Sequence, residues 1–174
     1  MKMKNLLPLL VSLAACSGTA WAADNMTFSG NLRAHACTLH PDDAVVEVDF
    51  NEIGTRDLYL SGGTPNQPFN IRLLDCNTSV ASELLITFDG TRNAEIPGAL
   101  ALESSSEASG VAVVLSDASQ RPIALGTALR LPLNSGSNSL QFHRRLQVEP
   151  DALRGEGIIS GTFSANSTFT LYYP

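Results

Sequence analysis

The sequence predicts an all-β sandwich of the immunoglobulin type, and three observations carry that expectation. Short runs rich in Val, Ile, Phe, Thr and Leu are separated by clusters of Gly, Pro, Ser and Asn. No segment holds the 3.6-residue apolar period of a long amphipathic helix. The 174 residues suit one domain with a sizeable core, and short strands at this spacing pack best as two facing sheets.

Strands are expected over residues 26–39, 44–50, 68–76, 84–88, 111–115, 140–148 and 158–173, with weaker candidates near Leu100 and Leu129. The breaks fall at Ser61-Gly62-Gly63-Thr64-Pro65, Asp89-Gly90, Pro97-Gly98 and Asn134-Ser135-Gly136-Ser137-Asn138. Residues 103–109 read as a polar loop, and residues 149–154 could form one helical turn. No repeat, low-complexity tract or linker divides the chain.

Both ends of the patterned region are amphipathic with period two. Near the C-terminus, Phe163, Ala165, Ser167, Phe169, Leu171 and Tyr173 share one face, over a stretch of about 45 Å if fully extended. Near the N-terminus, Met26, Phe28, Gly30, Leu32 and Ala34 alternate with Asn25, Thr27, Ser29, Asn31 and Arg33. Gly30 interrupts the apolar face, and a glycine inside a strand marks a bulge or a close approach.

The first residues point to export. Met1-Lys2-Met3-Lys4-Asn5 is basic, residues 6–15 are apolar but too short to span a bilayer, and Ala20-Trp21-Ala22 has the small residues of a signal-peptidase site. A signal peptide over 1–22 is therefore expected. Leu13-Ala14-Ala15-Cys16 also fits a lipoprotein cleavage box, which leaves a second possibility: a lipid-anchored, self-complete sandwich that binds a ligand at the cell surface. After a cut at Ala22 the chain has no lysine, and nine arginines face seventeen acids, net −8. That balance disfavours nucleic acid and anionic membrane; Arg144-Arg145, the one basic pair, is expected simply to lie on or near a strand. Cys37 and Cys76 then remain as an even pair in an oxidising compartment, where a disulfide is the default. They lack the close spacing of a zinc site, and no metal or cofactor is expected.

Catalysis finds no support. The three histidines, His35, His40 and His143, come without a Gly-x-Ser-x-Gly elbow or a His-Glu-x-x-His motif, and Asp42-Asp43 shows no second carboxylate placed for acid–base work.

Three segments in order resemble the chaperone–usher pilins, the subunits of type 1 and P pili. Residues 23–39, with Gly30 seven residues before Cys37, resemble the family's N-terminal extension; residues 68–76 resemble the strand carrying the second cysteine; Gly161 and the penultimate Tyr173 match its C-terminal assembly motif. The resemblance implies an incomplete immunoglobulin-like sandwich lacking its seventh strand, with residues 23–36 as a donor extension and 37–174 as the pilin domain. It implies that Met26, Phe28, Gly30, Leu32 and Ala34 complete a neighbouring subunit. Gly161, Phe163, Phe169, Leu171, Tyr173 and Pro174 would serve chaperone binding and assembly. The implied partners are a periplasmic chaperone, an outer-membrane usher and pilin subunits on both sides, with the product an extracellular fimbrium. A single domain behind an intact extension implies a structural subunit rather than a two-domain tip adhesin. Residues 69–76 and 148–154 look more like minor tip or adaptor subunits than rod pilins, and a terminator role stays open.

Overall fold

A computed structural model describes residues 35–174, in chain order β1 (Thr38–Leu39), α1 (Thr55–Ser61), β2 (Gln67–Cys76), β3 (Glu83–Gly90), β4 (Val111–Ser116), β5 (Leu129–Pro132), β6 (Gly136–Val148), α2 (Pro150–Gly155) and β7 (Ser167–Tyr172). The expectations placed on the signal peptide, on Cys16 and on Met26, Phe28, Gly30, Leu32 and Ala34 lie outside the described residues.

Two antiparallel sheets face each other. One has the order β1-β2-β6-β4, the other β5-β3-β7, so β7 stands at a sheet edge. Their inner faces follow the period of two. Ile71 and Leu73 of β2, Leu84, Ile86 and Phe88 of β3, and Leu140, Phe142, Leu146 and Val148 of β6 are buried. Phe142 anchors the contact, with its ring centroid 5.1 Å edge-on from Phe88 and 5.6 Å from Phe69. β4 is buried along its whole length because both faces are covered. Val111, Val113 and Leu115 join the main core, while Ala112 and Val114 pack with Ile96 and Ala99.

The Cys37–Cys76 disulfide forms as expected, tying the chain ahead of β1 to the end of β2. A single 3-10 turn follows at Pro41–Ala44. There Asp43, nearly buried, accepts hydrogen bonds from the Arg72 amide (2.6 Å) and from the Arg72 guanidinium (2.6 Å at the nearest nitrogen). The guanidinium bonds hold the Asp43 carboxyl below its ordinary range against the opposing effect of burial.

Three expectations change. Residues 44–50 alternate as a strand should, yet the path beyond the 3-10 turn pairs with nothing among the described residues, so no strand forms. The long C-terminal strand shortens to Ser167–Tyr172, since residues 161–165 are engaged by a loop rather than a ladder. α1 was not foreseen. It buries Leu58 and stops at Gly62, which adopts φ 70° and returns its amide to Leu58 O at 2.8 Å, a conformation that favours glycine. The turn expected over 149–154 is α2.

Candidate functional site

The two segments that failed to become strands lie on opposite sides of one groove. A cleft of about 650 Å³ opens between residues 46–53 and the stretch from Gly161 to Phe169. Its floor is the sandwich core itself: Phe69 and Ile71 from β2, Phe88 from β3, and Val113 and Leu115 from β4.

Hydrogen bonding explains why the groove stays open. Ser164 O accepts from the Glu103 amide (2.8 Å), and Thr162 O accepts from the amides of Glu107 (2.8 Å) and Ala108 (3.1 Å). The Ser164 amide donates to Ser106 Oγ and that of Thr162 to Glu107 Oε2. Successive residues of an extended chain turn their polar groups to opposite sides. Phe163 and Ala165 therefore direct theirs away from this loop, and they find no backbone partner among the described residues. Across the groove, residues 45–53 make no backbone–backbone bond among the described residues either. Two backbone segments without ladder partners among the described residues thus flank an apolar floor, which is the geometry that accepts an added strand.

Each C-terminal residue singled out in the sequence has a definite place. Phe163, Ala165, Phe169, Leu171 and Tyr173 are half-buried against the core, while Thr162, Ser164, Thr168, Thr170 and Tyr172 are exposed. Ser167, expected on the inward face, is exposed where β7 begins. The Phe163 ring lies 5.8 Å from that of Phe50, spanning the groove, and Phe169 lies 6.5 Å from Phe88. Burial raises the Tyr173 hydroxyl above its ordinary value. Gly161 does not merely leave space: a Cβ there would stand 2.6 Å from Glu107 Cβ. Pro174 is exposed.

The fimbrial protein family model matches residues 26–174. The chain belongs to that family. This pilin is 31% identical over 172 residues to the fimbrial adapter PapK of Escherichia coli, covering 95% of the chain and 96% of the relative. It is 31% identical over 178 residues to the fimbria A protein of Serratia marcescens, covering 99% of each. Its fold is similar to that of the P pilus rod subunit PapA, with a TM-score of 0.69 at 19% identity over 80% of this chain and 100% of that one. The pilin is a structural subunit of chaperone–usher fimbriae, and its sandwich is the incomplete immunoglobulin-like fold. Seven strands bear labels, but β1 has two residues; among the described residues no strand pairs with the free side of β7. Among the described residues no cluster of three or more potential metal ligands occurs, and no helix is long and apolar enough to cross a membrane.

Two parts of the site escaped the sequence. The pattern over residues 44–50 predicts a paired strand where the structure has an unpaired wall running on to residue 53, and the pattern around Arg144 predicts only an arginine on or near a strand. Arg144 lines the groove. A signal for it exists: it occupies the inward place in the series Leu140, Phe142, Arg144, Leu146, Val148. Its burial pulls its pKa below the ordinary guanidinium value, against the attraction of nearby Asp49.

Proposed function

We propose that this pilin is a minor, adaptor-type subunit that polymerises by donor-strand exchange and supports cell adhesion from within the fimbrium. The observation that carries this reading is the groove bordered by two segments that make no ladder bonds along it among the described residues. A periplasmic chaperone lends the missing strand first and engages the Pro174 carboxylate. At the outer-membrane usher, the extension of the next subunit replaces it. The adaptor role is supported by the kinship with PapK. In the same scheme residues 23–36 of this chain complete a neighbour, with Phe28 and Leu32 each contributing roughly 1.5–3 kcal/mol on full burial. Gly30 sits where that neighbour's groove is narrowest. The signal peptide is removed after Ala22, so the secreted protein begins at Ala23.

The test is strand exchange itself. The subunit co-expressed with its chaperone is mixed with peptides copied from extensions of candidate neighbours, and chaperone release is followed on native gels. Release by at least one peptide is expected. A subunit that is a stable, folded monomer without chaperone, and takes no peptide, would sink the reading. Gly30→Trp separates the two ends of the molecule: the variant should bind chaperone and accept peptide in its own groove, yet fail to join a neighbour, as read by the loss of subunit–subunit complexes.

A further inference from the structure

Arg144 is an arginine in a core position. It lies on the inward side of β6 between Phe142 and Leu146 and is 8% exposed. Its two terminal nitrogens are held by main-chain carbonyls, Nη1 by Pro68 O at 3.1 Å and Nη2 by Asp49 O at 2.8 Å. Its guanidinium carbon lies 5.3 Å from the Phe50 ring centroid. Two features remain unbalanced. Among the described residues the buried Nε–H has no hydrogen-bond partner and no carboxylate comes within salt-bridge distance. Asp49, the nearest acid by sequence to this contact, instead accepts from the Asn51 amide through its side chain. A buried cation whose nearby carboxylate, Asp49, stays beyond salt-bridge distance, with one donor unmade, is costly in a folded protein. This one lines the groove that another chain is to fill.

We infer that the neighbouring subunit's strand brings an aspartate or glutamate into this groove beside Arg144, and that Arg144 thereby selects which subunit may follow. The inference rests on the strand-accepting reading of the groove. Positions 26, 28, 30, 32 and 34 of this pilin's own extension carry no acid, and Asp24 continues the same alternating face two residues earlier. A strand from a neighbouring subunit with one groove-facing carboxylate beside Arg144 would neutralise it.

Peptides of residues 23–36 carrying Glu, or its neutral isostere Gln, at position 26, 28, 32 or 34 are added to the chaperone-bound subunit. The rate of chaperone release is then measured. At one position the Glu peptide should act about tenfold or more faster than the Gln peptide, as one charge-assisted hydrogen bond would give. The advantage should vanish in Arg144→Met and survive in Arg144→Lys, which keeps the charge and guards against a folding defect in the first variant. Equal rates for Glu and Gln at all four positions, or an advantage that persists in Arg144→Met, would overturn the inference while leaving strand exchange intact. Entry of peptides into Arg144→Ala but never into wild type would make Arg144 a plug and overturn it as well. Failure of every peptide with every form would remove the strand-accepting reading itself.

Discussion

Asp43 and Arg72 show how one ion pair anchors the turn that leads into a groove wall. Asp43 binds both the amide and the guanidinium of Arg72, and its 3-10 turn launches residues 45–53 as one wall. Its folded pKa is depressed, so its stabilisation is complete above the unfolded carboxyl value, about 4, and drains away as pH falls through the folded value. Asp43→Asn should therefore lower the melting temperature of the chaperone-free, strand-complemented subunit at pH 7, with the gap to wild type closing below about pH 4. A gap independent of pH would mean that shape, not charge, holds the turn. On the groove side, Phe169 packs toward Phe88 and would be covered further by an inserted strand. In the complemented subunit Phe169→Ala should cost about 3–5 kcal/mol by denaturant titration, and the adjacent exposed Thr168→Ala no more than about 0.5 kcal/mol.

At the scale of elements, the alternating C-terminal segment divides into two pieces with different neighbours. β7 pairs with β3 in register from Ser167↔Gly90 to Tyr172↔Leu85, whereas residues 161–165 are held by the 103–108 loop. Gly161 permits that loop to approach. Gly161→Val would push against Glu107 and should destabilise the complemented subunit by about 1–3 kcal/mol. Hydrogen exchange locates the effect: the amides of Thr162 and Ser164 should lose protection while those of β7 keep theirs. Uniform loss along both pieces would mean that they unfold together. Much of this was legible in the sequence. The runs over 68–76, 84–88 and 140–148 became β2, β3 and most of β6 because their apolar period matched a buried face, and the continuous apolar run 111–115 became β4, buried on both faces. Residues 44–50 carry the same period but lack a partner among the described residues, and a ladder needs two chains of backbone.

For the molecule as a whole, a disulfide and an open groove pull in opposite directions. The Cys37–Cys76 bridge spans 39 residues and removes about 4 kcal/mol of unfolded-chain entropy on the loop-closure model. The groove meanwhile leaves Phe163, Ala165 and Phe169 half-covered. Replacing both cysteines by serine should lower the stability of the complemented subunit by about 4 kcal/mol in guanidinium titration. In the chaperone-bound form the same change should sharply reduce yield. An unchanged midpoint would show that residues 37–76 are restrained by the sheet alone.

Alternation, turn residues and cysteine parity were enough to set an all-β sandwich, the Cys37–Cys76 pair and the inward face Phe163, Phe169, Leu171 and Tyr173, since each depends on local chemistry or on the fixed period of a strand. The tertiary structure decided where pairing stops. The placement of residues 45–53 opposite 161–169, and of Arg144 between Phe142 and Leu146 at the groove, depends on contacts between segments far apart in the chain. A hydrogen bond that is not made leaves no mark on the residues that lack it. An unpaired backbone becomes visible only when the sheets beside it have been assembled.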